Sequence, residues 1–340
     1  HNTILPGFNF KPGAFGQSFA HGAPGFDFVL GMQPDSNWMN SKSSKGWFST
    51  DTTLNYQFVQ NTTKNLQVRV SLEPFKDFLI DLNFTRNNTL GTTEYFKNTS
   101  EGYQHLNRMQ TGTYTTSFIA WNTSFIPVAS DGSSPVFTNF ENYREIISQR
   151  WGVLNPNSNG TFADSLPQYA QGYGPYQQDV LIPAFLAAYT GKDPNTISLS
   201  SPTNHFPLPN WRITYNGLTK LKWAKHIWQT FNVSHAYTST FSIGAFNSSL
   251  DFQGEQGAEF SYPKIIDPNS GNFISYFDIP SISLSESFAP LLGIDATWKN
   301  SMTTKFEFKK TRNITMSFLD YQLSEMRSTE VTGGLGYRWK

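Results

Sequence analysis

The chain has 340 residues, and its 25 Lys and Arg balance its 25 Asp and Glu, so no basic field is present to attract nucleic acid. Mean hydropathy is −0.42, and the absence of any run of about 18 apolar residues excludes membrane-spanning helices. The chain contains no cysteine, which is unusual for an extracellular eukaryotic protein but ordinary for a bacterial envelope protein. Aromatic residues make up 16%, a surplus that fits the aromatic girdles of a membrane barrel or a sugar-binding β protein.

Residues 1–50 are rich in Gly, Pro and Phe. The sequence PGFNF at positions 6–10 returns as PGFDF at positions 24–28. Pro-Gly pairs mark turns, and the spaced phenylalanines predict a packed irregular segment. The first residues lack the basic start and apolar core of a signal peptide. We therefore expect a chain that is either mature or cut from something longer.

Residues 51–121 carry the alternation expected of transmembrane strands, and it is clearest between Asn65 and Arg86. Apolar and polar residues alternate on both sides of a turn predicted at residues 73–76, so a hairpin with one apolar face is expected. Each arm has about the 9–11 residues that a tilted strand needs to cross a bilayer. We expect the apolar set to face lipid: Leu66, Val68, Val70, Leu72, Phe78, Ile80, Leu82 and Phe84. We expect the polar set to line a wet lumen: Gln67, Arg69, Asp81 and Asn83. A soluble sheet with one wet face would give the same pattern.

Residues 122–210 break the alternation and predict a long, partly helical insertion, which we expect on the extracellular side, where barrels keep long loops. Thr138 and Glu141 fit a capping box at the start of a helix. Val180–Tyr189 is apolar all round but too short to cross a membrane as a helix. It predicts a helix or plug-like segment that is buried against protein and ended by Gly191. The insertion is expected to have its own small core, and either to contact a partner or to cap a pore.

Residues 211–340 return to strand alternation, with a helical bridge predicted at 218–228 and a loop near 250–280. In the last strands we expect Phe306 and Phe308 to face lipid, and four charged residues to line the lumen: Lys305, Glu307, Lys309 and Arg338. Charged residues recur on one face of strand after strand while aromatic residues recur on the other, which favours a barrel over a soluble sandwich. The predicted fold is all-β: a portion of a very large antiparallel transmembrane β-barrel with a partly helical loop insertion.

The sequence predicts no enzyme, metal site or cofactor. The histidines are scattered without paired spacing, and the glycines at 333, 334 and 336 lie in a strand and not before a helix. Asp77 and Asp81 share a strand face, where solvated polar lining is the simpler interpretation. The polar face could be the mixed-charge wall of a conduit, which solvates cargo without gripping it. Alternatively, it is a solvated face whose cross-strand ion pairs contribute a few tenths of a kcal/mol each.

Several long segments, in the same order along the chain, resemble the SprA family (also called Sov), the outer-membrane translocon of the bacterial type IX secretion system. The first are LPGFNF and PGFDFVLGMQP near the start and EPFKDFLIDLNFTRN at 73–87. DVLIPAFLAAYTGKDP at 179–194 resembles the inserted helical stretch of the family. The later strands correspond to PLPNWRITYNGLTKL at 207–221, ATWKNSMTTKFEFKKTRNITMSF at 296–318 and the closing GLGYRWK.

This resemblance implies a very large single-chain barrel that conducts folded proteins across the outer membrane of Bacteroidota. The implied partners are the lipid bilayer, a PorV-like partner barrel, a plug protein and the secreted cargo proteins. Family members are several times longer, and about ten strands cannot close so wide a barrel, since diameter grows with strand number. We therefore expect a C-terminal portion that pairs with the remaining strands of the same parent chain. The alternatives are a secreted β-rich carbohydrate-binding protein and a fragment of a nutrient-uptake barrel.

Overall fold

The protein is built around one antiparallel β-sheet. The computed structural model describes residues 2–5, 7–9, 30–34, 36–199, 203–253 and 262–339, so the second copy of the repeat, at 24–28, lies outside the described residues. Ten strands join the sheet: β1 (Asn2–Ile4), β2 (Gln57–Phe75), β3 (Phe78–Thr99), β4 (Gly102–Ser117), β5 (Asn210–Tyr215), β6 (Trp228–Ser248), β7 (Phe277–Asp278), β8 (Ser281–Trp298), β9 (Met302–Ser317) and β10 (Leu323–Tyr337). The prediction of a mainly antiparallel β chain is confirmed, and the barrel stays a prediction.

One place in the sheet is shared by two strands. The order is β1-β2-β3-β4-β6-β8-β9-β10. Beyond the end of β4, β5 takes its place and pairs with both β3 and β6. At the junction the Leu208 N–H donates to the Ser117 carbonyl over 3.0 Å, and the Ser117 hydroxyl donates to the Leu208 carbonyl over 2.6 Å. The insertion therefore leaves the sheet at the end of β4 and rejoins it at the start of β5, and the two strands share one position in the sheet.

The strands are much longer than the alternation suggested. β2 has 19 residues and β3 has 22, against the predicted 9–11. Their turn is Lys76-Asp77, with Asp77 at a φ of 67°, and Pro74 lies where the register shifts between Leu72 and Phe75. The end of the sheet that carries this turn and the turn at 299–301 is here called the lower end. β3 and β4 form a hairpin whose turn, between Thr99 and Gly102, lies at the opposite, upper end of the sheet.

Among the described residues, three α-helices accompany the sheet: α1 (Ser36–Ser43), α2 (Pro135–Leu154) and α3 (Gln178–Thr190). The predicted capping box at Thr138 is wrong, because α2 begins earlier, after Ser134, with Pro135 in its first turn. α3 ends at Gly191, as predicted, because Gly191 adopts a φ of 67°. Short 3-10 turns at Gly217–Lys220 and Ala224–His226 replace the predicted bridging helix. In the described part of the chain, no helix is both long enough and apolar enough to span a membrane.

The insertion shares its core with the sheet instead of forming its own, which corrects the prediction. All residues of α3 from Val180 to Thr190 are buried, and they form one cluster with sheet residues such as Phe241, Leu284 and Ile314. Burying each large apolar side chain of this cluster, such as Phe241 or Leu284, contributes about 1.5–3 kcal/mol to the stability of the fold. A second, smaller cluster packs the N-terminal segment on β2 and β3: Met39, Phe48, Phe58 and Phe96.

Candidate functional site: the two faces of the sheet

The hydrogen-bond register determines which residues share a face of the sheet. Side chains directly opposite one another in an antiparallel pair point to the same face. Val233 of β6, for example, lies opposite Tyr215 of β5 and Ile294 of β8, and Ile294 lies opposite Phe306 of β9. Followed strand by strand, the register puts every residue predicted to face lipid on one face, here called the apolar face: Leu66, Val68, Val70, Leu72, Phe78, Ile80, Leu82, Phe84, Phe306 and Phe308.

Seven of the eight residues predicted to line a lumen lie together on the opposite face, here called the polar face: Gln67, Arg69, Asp81, Asn83, Lys305, Glu307 and Lys309. Arg338 follows the end of β10 at Tyr337 and lies outside the paired register. The charges of the polar face are interleaved. Lys305 and Lys309 each lie 3.3 Å from Glu307, and Lys309 also lies 3.4 Å from Glu330 of β10. Because each of these charges has a neighbour of the opposite sign, the face presents mixed polarity. The assignment of the two faces to lumen and lipid stays a prediction.

The lower half of the apolar face forms a continuous belt, here called the apolar belt, that crosses the sheet from β2 to β10. It includes the ten residues given above and their in-register neighbours: Trp211, Ile213, Tyr215, Phe231, Val233, His235, Leu292, Ile294, Ala296, Trp298, Met302, Thr304, Thr329, Val331, Gly333, Leu335 and Tyr337. Arg86, opposite Leu66, and Lys310, opposite Thr329, lie on the same face at the upper border of the belt. Below them the described belt has no Asp, Glu, Lys or Arg, although charged residues recur on the polar face at the same height. The polar groups within the belt have partners: His235 Nδ1 lies 2.7 Å from the Leu291 carbonyl oxygen, and the Trp298 indole N–H donates to the Thr304 hydroxyl over 2.8 Å.

Aromatic rings collect at the lower edge of the apolar belt. Phe75 and Phe78 stack with centroids 4.6 Å apart, and the rings of Trp228 and Trp298 lie 5.6 Å apart. Trp339 follows β10 and is 86% exposed. Aromatic side chains in this arrangement are typical of the boundary between apolar and aqueous surroundings, because their rings have an apolar body and, in Trp, a polar tip.

The apolar belt is uncovered by the rest of the described chain. Val70 is 37% exposed, Leu292 41% and Leu335 80%. Above the belt the same face is buried, since Ile243 of β6 and Ile282 of β8 are 0% and 1% exposed beneath the insertion. A contiguous apolar surface of this width marks a contact with another molecule or with a membrane. The apolar face thus has a covered upper half and an uncovered lower half.

A short segment at residues 120–126, here called the strap, separates the two halves. It runs across the strands and contacts them in spatial order. The Ala120 N–H donates to the Tyr237 hydroxyl of β6 over 2.9 Å. Further along, the Phe125 ring lies 5.3 Å from that of Phe288 of β8, and the Ile126 carbonyl accepts from Arg327 of β10 over 2.5 Å.

Buried charges fasten the strap to the sheet. Arg312 of β9 is 2% exposed and donates to Glu325 over 2.6 Å and to the Thr123 hydroxyl over 2.8 Å. Glu286 of β8 is 3% exposed and accepts hydrogen bonds from Ser124 and, over 2.6 Å, from the Tyr237 hydroxyl. Breaking such a buried pair costs about 3–5 kcal/mol, because the remaining charge loses its partner in a dry setting. The strap is therefore held at a fixed height.

Burial shifts the pKa values of two side chains in the insertion, His205 and Asp179. His205 lies with its ring centroid 5.9 Å from that of Phe118 and 5.7 Å from that of Phe241. Burial there, reinforced by the charges of Lys192 and Arg86, lowers the pKa of His205 to about 4. Burial likewise raises the pKa of Asp179 although Gln177 and Ser275 donate hydrogen bonds to it. Burial therefore disfavours the charged form of both side chains in the folded insertion.

Sequence reasoning missed the strap and its charge cluster. Arg312 and Glu286 lie on the apolar face, so a strand-by-strand interpretation would turn them towards lipid. A signal for the cluster exists, since charges interrupt otherwise apolar alternation on three neighbouring strands, at Glu286, Arg312 and Glu325. Comparison of the chain with protein-family models and with curated proteins gives no match.

Proposed function

We propose that this chain forms part of the wall of a protein-conducting outer-membrane translocon, with the apolar belt against lipid and the polar face along an aqueous passage. The observation that carries the proposal is that the described belt below Arg86 and Lys310 holds no Asp, Glu, Lys or Arg, while charged residues recur on the opposite face. The export of folded cargo rests on the resemblance to the SprA family.

The dimensions of the belt support this proposal. From Leu66 to Phe75, β2 covers about nine steps, which at roughly 2.5 Å of height per residue for a tilted strand gives about 23 Å. This is close to the apolar band of about 25 Å that transmembrane barrels carry. The belt also ends in aromatic rings at its lower edge, where a membrane interface would lie.

The edges of the sheet agree with a wall that continues into further strands. β10 pairs only with β9 among the described residues, and β1 covers β2 only from Val59 to Asn61. Unpaired edge groups cannot be left in lipid, because each unsatisfied backbone group costs several kcal/mol there. The proposed wall therefore includes neighbouring strands at both edges.

Single-cysteine labelling tests the proposal, since the chain has no cysteine of its own. Cysteines replace Leu66, Val68 and Val70 on the apolar face, and Gln67 and Arg69 on the polar face, in the full-length protein in its own membranes. We expect a membrane-impermeant maleimide to label only the polar-face positions and a lipid-dissolved maleimide to label the apolar-face positions.

Lys305→Cys and Phe306→Cys provide the same comparison on β9, at the other side of the sheet. Urea-unfolded protein provides the control that every cysteine is reactive. Equal labelling of both faces by the aqueous reagent would contradict the proposal and favour a soluble, β-rich binding protein.

A further inference from the structure

We propose that the strap marks the outer surface of the membrane and rests on the lipid headgroups, so that the helical insertion stands outside the wall, on the lipid side, and does not cap the passage. This inference rests on the proposed function, because it takes the apolar belt to be in lipid. It assigns a lipid contact to residues 120–126 and a position to the whole insertion.

The face on which the insertion packs is the first argument. The insertion buries Phe241, Ile282 and Ile314, which lie on the apolar face directly above the belt. A plug or cap within the passage would have to pack on the polar face. The residues of that face at the same height are short and polar, including Ser283, Ser285 and Asn313.

The level of the strap is the second argument. On β9 the strap contacts Lys310 and Arg312, and the uncharged positions of the belt begin at Phe308, in the next pair down. On β8 it contacts Glu286 and Phe288, above Leu292. The strap therefore follows the upper edge of the belt from strand to strand, where the proposed hydrocarbon layer would end.

The side chains of the strap fit an interface. Trp121 is 49% exposed and Phe125 is 53% exposed, although Trp121 also packs edge-on against Trp211 and Phe125 lies tilted against Phe288. The Lys310 ammonium lies 4.3 Å from the centre of the Phe125 ring. Exposed aromatic rings beside a lysine suit the headgroup layer, because the rings occupy its apolar side and the cation meets phosphate.

The upper side of the strap is committed to the insertion. Thr123 donates to the Tyr189 carbonyl over 2.6 Å, and Asn122 donates to the Thr190 carbonyl over 3.2 Å, so the end of α3 stands directly on the strap. The lower side is left for the exposed rings. A segment with protein above and aromatic rings below is arranged as a foot on an apolar surface.

Depth-dependent fluorescence quenching tests this inference. Trp121→Cys and Phe125→Cys are each labelled with the fluorophore NBD in the full-length protein, which is reconstituted into vesicles of phosphatidylcholine and phosphatidylethanolamine. We expect quenching at least twofold stronger from nitroxide lipids labelled near the headgroup than from lipids labelled near the chain end, and little from aqueous iodide.

Two further positions make the outcomes distinguishable. NBD at Val70→Cys, in the middle of the belt, should be quenched best by the chain-end nitroxide. NBD at Tyr176→Cys, on the insertion beside Tyr321 in the turn between β9 and β10, should be quenched only by iodide. Loss of lipid quenching at all positions would overturn the proposed function. Quenching by lipid at Val70 together with iodide quenching at Trp121 and Phe125, or no quenching there at all, would overturn this inference alone.

Discussion

A single arginine placed on either side of β2 separates a membrane wall from a soluble sheet. Val70 lies in the middle of the apolar belt, about four residues from Leu66 and thus roughly 10 Å below the upper edge of the belt. Arginine at the middle of a lipid-facing strand costs about 2–4 kcal/mol, and less near the interfaces. We therefore expect Val70→Arg to lower the free energy of unfolding by about 2–4 kcal/mol.

The adjacent residue supplies the matched control. Ser71 lies on the polar face, where its hydroxyl donates to Asp81 over 2.5 Å, so an arginine there gains a carboxylate opposite. We expect Ser71→Arg to change stability by less than about 0.5 kcal/mol. The assay is urea unfolding of the full-length protein in vesicles, followed by tryptophan fluorescence.

The comparison has a clear refuting result. Val70 is 37% exposed, so if the apolar face were in water, an arginine there would be an ordinary surface substitution. Equal stability of the two variants would therefore refute the lipid assignment. The same substitution at Leu66, near the upper edge, should cost less than at Val70 if depth in lipid is the cause.

Three further changes test the packing that supports the two faces, each by urea unfolding. Arg312→Ala should cost about 3–5 kcal/mol, because it removes the cation that lies 2.6 Å from Glu325 and 4.0 Å from the buried Glu286; a cost under about 1 kcal/mol would contradict this. Gly112→Ala should cost about 1–3 kcal/mol, because its Cβ would lie 2.2 Å from the Thr89 carbonyl oxygen, whereas Gly244→Ala, with open space around it, should not. The pKa of His205 is about 4 in the folded protein, against about 6.5 in the unfolded chain. The free energy of unfolding should therefore fall by about 3 kcal/mol as the pH is lowered from about 6.5 to 4, and His205→Phe should remove this pH dependence.

The period-two pattern predicted both faces of the sheet because one physical demand repeats along every strand. Each strand must present one apolar side, so Leu66 to Leu72 and Phe306 to Phe308 could be assigned without knowing their neighbours. The strand lengths could not be predicted in the same way. The upper half of β3, with Asn87, Asn88 and Thr89, is polar on both sides in sequence and is held by pairing with β4.

The insertion shows where local reasoning fails. Its helix at Val180–Tyr189 was predictable from an unbroken apolar run and a terminal glycine. Its attachment was not, because nothing local indicates that Ser117 and Leu208 meet in mid-strand. The buried cluster of Arg312 and Glu286 was also beyond local patterns, since a charge on an apolar face is tolerable only when a distant segment supplies its partners.

The charge pattern of the polar face bears on how a conduit could pass different proteins. Lys305, Glu307, Lys309 and Glu330 form a chain of ion pairs that lie flat along β9 and β10. Solvent-exposed ion pairs add little to stability, so stability is a weak reason for the arrangement. Its electrostatic effect is clearer, because the two lysines balance the two glutamates and salt screens the remaining field beyond a Debye length of about 8 Å. A cargo protein of either sign would then meet a hydrated wall with little net field, and would neither bind to it nor be repelled.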